Sequence, residues 1–135
     1  KVVTRKTRLI IINSPHNPSG SVWSEEDMKE LEKLATNSDA LVLSDEVYEH
    51  IVFDGKKHWS ASKFPELAKR SLVVASFGKT FHVTGWKLGY IIAPENLMKE
   101  FKKVHQYLVF CVNAPMQLAI AKYLEEPSRY NGMLF

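Results

Sequence analysis

The sequence predicts an α/β fold with a largely parallel sheet, and three observations carry that expectation. Short β-rich apolar runs alternate with amphipathic stretches of helical spacing. The apolar runs lack a polar face, as strands buried between layers do. Polar clusters follow the first three runs, where open α/β sheets gather ligand-binding groups. The 135 residues, 45% hydrophobic and 24% charged, suit one soluble globular domain at most.

The first strand is expected over Arg8 to Asn13, continuously apolar and so covered on both faces. It runs into Ser14-Pro-His-Asn-Pro-Ser-Gly20. Two prolines remove backbone donors there and bias Ser14 and Asn17 away from the helical region, while Gly20 permits a positive φ. A cis bond between Asn17 and Pro18 is expected. Ser24 then reads as an N-cap with Asp27 at the capping-box position. Met28, Leu31, Leu34 and Ala35 repeat at helical spacing, so the helix should run to about Thr36 and lay one stripe on the sheet.

The second apolar run, Ala40 to Leu43, ends in Ser44-Asp-Glu-Val-Tyr48, and the third, Ser71 to Ala75, ends in Ser76-Phe-Gly-Lys79. A fourth, Leu88 to Ala93, follows a short connection, which suits antiparallel pairing. Pro94 and Glu95 open a helix on which Leu97, Phe101, Val104 and Leu108 share a face. After Asn113-Ala-Pro115 another helix is expected, with Leu118, Ala121 and Leu124 inward.

Several function classes are disfavoured at once. A net charge of +3 makes no nucleic-acid stripe, and the basic run Lys1 to Arg8 reads as a solvated strand entry. The longest apolar run, Leu9 to Ile12, is far too short to span a bilayer. One cysteine, Cys111, permits no internal disulfide, and nothing near it lowers its pKa to make a nucleophile. His16, His50, His58, His82 and His105 have no ligand-like spacing, and no carboxylate pair completes a site, so no metal is expected. His82 is expected to make a structural hydrogen bond. Trp23 and Trp59 should be partly buried anchors, and Trp86 should pack so as to steer Lys87. No signal peptide opens the chain, and a first residue of Lys suggests that the true N-terminus is missing.

Asn17, Asp45 with Tyr48, and Ser76 with Lys79 stand after three successive strands, so they can converge on one crevice. The set suits a ligand with an anionic end and a cationic ring. A lysine forms an imine with a carbonyl cofactor, and an aspartate keeps a pyridinium nitrogen protonated. A tyrosine and an amide share a phenolate oxygen, and a serine with a second cation holds a phosphate. That describes pyridoxal 5′-phosphate. A carboxylate about 4 Å from the ring nitrogen contributes about 4 kcal/mol at an effective dielectric near 20. This amounts to about three pKa units before desolvation, enough to keep the ring cationic at neutral pH.

SPHNPSG, SDEVYEHI and SFGKTFHVTGWKLGY together resemble the core of the class I/II aminotransferases, the fold-type I pyridoxal-phosphate enzymes. Their spelling, with HQYLVFCVNAPMQLAIA after the lysine motif, is most similar to the methionine and kynurenine aminotransferase branch. The resemblance implies a partial three-layer α/β/α large domain with a mostly parallel sheet. It implies a transaminase moving an amino group from a methionine, aromatic or kynurenine-like amino acid to a 2-oxo acid. By position, Lys79 aligns with the lysine of the internal aldimine and Asp45 with the carboxylate on the pyridine nitrogen. Tyr48 and Asn17 align with the partners of the cofactor's O3′, and Ser76 with a phosphate-binding serine. Lys87 replaces the arginine that many members use on the phosphate, giving charge without a bidentate fork. Phe110 aligns with an aromatic that a neighbouring subunit sends into the substrate pocket, which implies a homodimer. The family setting implies a cytoplasmic enzyme, with no nucleic-acid or membrane partner.

The family's glycine-rich phosphate loop, ring-stacking aromatic and carboxylate-clamping arginine have no counterpart in this sequence. Residues 1–135 are therefore expected to be a central fragment of the cofactor-binding large domain. The N-terminal part of that domain and the C-terminal small domain would be absent, and the fragment alone inactive and poorly folded. Two rival functions share these residues: a cysteine-conjugate β-lyase on the same lysine, and a non-catalytic aminotransferase-like sensor domain.

Overall fold

The computed structural model describes residues 2–130. Four strands, β1 (Leu9–Asn13), β2 (Leu41–Asp45), β3 (Ser71–Ser76) and β4 (Gly89–Ile92), form one sheet in that spatial order. The first three run parallel, and β4 returns antiparallel to β3, as its short connection predicts. The helices are α1 (Glu25–Ser38), α2 (Pro65–Ala68), α3 (Phe77–Thr80), α4 (Glu95–Leu108) and α5 (Ala114–Leu124).

Helix α1 starts as its sequence dictates. The Ser24 hydroxyl accepts from Asp27 N–H at 3.1 Å, and the Asp27 carboxylate accepts from Ser24 N–H at 2.8 Å. The helix ends at Ser38, two residues later than expected, with Asp39 in the left-handed region at φ 57°. Met28, Leu31 and Ala35 are buried, while Leu34 stands 42% exposed at the edge of the stripe. With Ala61, Phe64 and Leu67 they pack on Ile12, Val42 and Val73. Trp23 and Trp59 lie partly buried against this core. Glu32 of α1 accepts from the Glu66 N–H at 2.8 Å and so caps the first turn of α2.

One face of the sheet is therefore covered and the other is not. Leu9 is 45% and Ile11 66% exposed, so the expectation that β1 is covered on both faces is not met among the described residues. The same holds farther along the chain. Leu97, Phe101, Val104 and Leu108 do share one face of α4, yet no residue of α4 is buried. On α5 the inward residue is Ile120, whereas Leu118 is 71% exposed and Ala121 and Leu124 are also exposed, which corrects the expected stripe. The physical reason is that α5 is apolar around most of its circumference, so spacing alone selects no face.

The β3–β4 pair is tight where Ser76 opposes Gly89. A Cβ on Gly89 would lie 2.7 Å from the Ala75 carbonyl oxygen, closer than van der Waals contact allows. In the complete protein, Gly89→Ala is expected to lower stability by about 1–3 kcal/mol through this overpacking. Urea denaturation would check it, and an unchanged midpoint would contradict the close approach.

Candidate active site

The parallel pairing puts Asn13 directly opposite Asp45, and β3 ends beside them at Ser76. Three strand ends thus open onto one edge of the sheet. The loop after β1 is braced by its own polar groups. Gly20 N–H donates to the His16 carbonyl at 2.7 Å, His16 N–H to the Ser21 carbonyl at 2.9 Å, and Trp23 N–H to the buried Ser14 hydroxyl at 3.0 Å. Gly20 takes φ 70°, and the Asn17–Pro18 bond is cis, both as expected, while Ser14–Pro15 is cis as well.

Asn17 and Tyr48, far apart in sequence, are in direct contact: Asn17 Nδ2 donates to Tyr48 Oη at 3.1 Å. Because the phenol oxygen accepts here, its own proton remains available, as does the second amide proton of Asn17. Both can address a single oxygen of a ligand. The pair borders a cleft of about 270 Å³ lined by Pro15, His16, Ile51 and Phe53. Asp45 is half-buried, and its Oδ1 accepts from Val47 N–H at 3.2 Å.

The lysine motif occupies the neighbouring strand end. The Ser76 hydroxyl accepts from Gly78 N–H at 3.0 Å and donates to the Leu88 carbonyl at 3.2 Å. Thr84 Oγ1 donates to the Gly78 carbonyl at 3.1 Å, and a Cβ on Gly78 would lie 2.9 Å from Thr84 Cα. The turn carrying Lys79 is thus fixed at close quarters. Lys79 and Lys87 are exposed, and neither side chain has a partner among the described residues. Lys87 holds φ 56°, in the left-handed region. Ser76, Lys79 and Lys87 make no direct hydrogen bond to Asn17, Asp45 or Tyr48 among the described residues.

Other expectations resolve as follows. Trp86 is 36% exposed and borders a cleft with Phe81 and Ile120, so its packing is loose. His82 is exposed at φ 57° with no side-chain hydrogen bond among the described residues, against the structural bond expected of it. Phe110 is 81% exposed, also at positive φ, just beyond α4.

Two features escape sequence reasoning. The sequence presents Asn13 only as the last residue of β1. Its amide donates to the Asp45 carbonyl at 3.1 Å and accepts from Asn17 N–H at 3.0 Å. A polar residue closing an otherwise apolar run, four positions before Asn17, was the available signal. The second feature is a buried network behind Asp45. Glu46, 2% exposed, accepts from Ser44 Oγ at 2.8 Å and Ala61 N–H at 2.9 Å, and pairs with His58 Nε2 at 2.9 Å. Burial alone would raise the Glu46 carboxyl, but the bonds from His58, Ala61, Ser44 and Ser60 outweigh it and hold the group below its usual range. Tyr90 Oη donates to Glu49 Oε1 at 2.8 Å beside this pair, and burial with the Glu49 carboxylate pushes the phenol upward. The fold thus brings together the carboxylate pair and histidine that spacing did not suggest, their ligand atoms within 4.8 Å. Both Glu46 oxygens are already engaged, so the cluster reads as a hydrogen-bonded brace.

The α/β sheet with these polar strand ends has the architecture of part of the solved class I and II aminotransferase structures it superposes on. Residues 1–133 match the family aminotransferase class I and II, and the chain belongs to that family. It is 48% identical over 130 residues to the methionine aminotransferase of Escherichia coli, covering 96% of this chain and 34% of that protein. It is 40% identical over 136 residues to human kynurenine–oxoglutarate transaminase 3, covering 96% of this chain and 30% of that one. Among solved structures, an Escherichia coli protein with a methionine aminotransferase function superposes with TM-score 0.91 at 48% identity, covering 96% of this chain and 34% of that one. The N-succinyldiaminopimelate aminotransferase of Mycobacterium tuberculosis gives TM-score 0.91 at 37% identity, covering 98% and 34% respectively. The chain therefore spans about a third of the length of the relatives it matches. No described helix is long and apolar enough to cross a membrane.

The Glu46 network makes a pH-dependent prediction. The folded carboxyl titrates below the unfolded value of about 4.3, so its stabilisation is present above that pH and is lost as pH falls through the lower folded value. In the complete protein, Glu46→Gln is expected to cost about 2 kcal/mol at pH 7. The gap from the parent should narrow as urea melts are taken toward pH 3. A gap independent of pH would contradict the ionised Glu46 carboxylate.

Proposed function

We propose that the protein containing this chain is a pyridoxal-phosphate-dependent transaminase. It would move the amino group of a methionine, aromatic or kynurenine-like amino acid to a 2-oxo acid. The single observation that carries the reading is the Asn17–Tyr48 contact at the strand end beside Asp45, with two lysines at the adjoining strand end that have no partner among the described residues. The donor set fits the cofactor: two convergent donors for a ring oxygen, a carboxylate with an oxygen to spare, and cations with no competing anion. Family membership and the relatives named above support the reaction class and its substrate range.

Pyridoxal phosphate, when bound, supplies a cationic ring that withdraws electrons from the substrate's α-carbon. Lys79 Nζ would hold the cofactor through its aldehyde group and, once freed by the incoming amino acid, would be the base that carries the amino acid's α-proton. Asp45 would hold the proton on the ring nitrogen. Asn17 and Tyr48 would donate to the ring oxygen and orient the ring. Lys87 would hold the phosphate as a point charge, and Ser76 would join it by turning its proton from the Leu88 carbonyl.

In this reading residues 1–135 form the central part of the cofactor-binding large domain, and the rest of the protein supplies the remainder and a small domain. The uncovered apolar face around Leu9 and Ile11 and the one-third span support it. The enzyme is a homodimer in this account, with exposed Phe110 entering the partner's substrate pocket.

Borohydride reduction of the cofactor-loaded complete protein is expected to fix the label on Lys79, read by peptide mass spectrometry. Label on another residue, or none, would refute the mechanism. Asp45→Asn is expected to retain cofactor yet lose up to about a thousandfold of turnover, the factor equivalent to three pKa units. Near-normal turnover would remove Asp45 from the ring nitrogen.

A further inference from the structure

We infer that Asn13 is a positioning residue that sets the separation between the two groups acting on opposite ends of the cofactor ring. The inference rests on the cofactor site proposed above. Asn13 closes β1 opposite Asp45 in the parallel register. Its side chain forks: Nδ2 donates to the Asp45 carbonyl at 3.1 Å, and Oδ1 accepts from Asn17 N–H at 3.0 Å. Asn17 in turn reaches Tyr48 Oη at 3.1 Å. A continuous hydrogen-bonded path thus runs from Asp45 through Asn13 and Asn17 to Tyr48.

The amide is the chemical type this place requires. It must donate to a carbonyl and accept from an N–H at once, which aspartate cannot do when ionised and leucine cannot do at all. The Asn17 N–H lies between Pro15 and Pro18, neither of which has an N–H to tie the loop down. Ser14 N–H also donates to the Asp45 carbonyl, at 3.1 Å, so the end of β2 is held by two consecutive residues of the β1 end. Asn17 serves the ring oxygen and Asp45 the ring nitrogen, so their spacing must match the ring. Misplacement on the order of 1 Å is enough to cost catalysis.

The test uses the complete protein loaded with pyridoxal phosphate, comparing the parent, Asn13→Ala, Asn17→Ala and the double variant. The readouts are the cofactor dissociation constant and the pH midpoint of the absorbance change of the lysine-bound cofactor. A donor on the ring oxygen stabilises its anionic form, so loosening Asn17 raises that midpoint. Asn13→Ala is expected to raise it by about half a pH unit or more and to weaken cofactor binding roughly tenfold, as loss of about one hydrogen bond does. In the Asn17→Ala background the added midpoint shift should be smaller, because the Asn17 side-chain amide through which Asn13 acts on the ring oxygen is already gone, although its backbone N–H still donates to Asn13. Should Asn13→Ala fail to fold, Asn13→Asp keeps the acceptor for Asn17 N–H and loses only the donor to the Asp45 carbonyl, so it should weaken cofactor binding with a smaller midpoint shift than Asn17→Ala gives. A lowered melting temperature with midpoint and affinity unchanged would overturn the assignment and leave Asn13 a purely structural residue. A parent protein that binds no cofactor, or shows no titrating chromophore, would instead overturn the proposed function and this inference with it.

Discussion

Everything at the candidate site hangs on the register of one parallel strand pair. With Asn13 opposite Asp45, the ends of β1 and β2 lie side by side and the loops that leave them meet. A slip of one residue would turn Asp45 to the other face of the sheet and bury a carboxylate under α1. The register is set by packing: Ile12 and Val42 must lie under Met28, Leu31 and Ala35. The apolar stripe of α1 and the placement of the polar strand ends are therefore one constraint seen from two sides.

A second layer of order lies behind the site. Glu46 follows Asp45 directly, and its carboxylate gathers Ser44, Ala61 and His58 into a buried knot. This ties the loop leaving β2 to the chain some fifteen residues on, before it re-enters the sheet as β3. The two neighbouring acids have opposite surroundings. Among the described residues one Asp45 oxygen is without a hydrogen-bond partner, whereas both Glu46 oxygens are engaged, so Glu46 braces the loop and Asp45 does not.

Much of this was legible in the residues. The strands, the α1 capping box, the antiparallel return of β4 and the proline-rich loop follow from local chemistry, and local chemistry is what a sequence displays directly. What stayed hidden depended on distance. His58 reaches Glu46 across twelve positions, and no spacing rule joins them. Asn13 looked like a strand residue because its partners become visible only when two strand ends are placed together. The inward face of α5 was misjudged because Ala114 to Ala121 offers apolar residues on nearly every side. The bare face at Leu9 and Ile11 has a different origin: the sequence reads as covered, and the described residues contain nothing that covers it.

Lys87 deserves a last physical reading, for its backbone and its side chain want different things. At φ 56° an L-residue stands about 1–2 kcal/mol above its relaxed state, and glycine would relieve that strain. Glycine would also erase the ammonium. A redesign guided by thermal tolerance alone would choose the substitution, and on the reading proposed above would gain firmness by discarding the charge assigned to the phosphate.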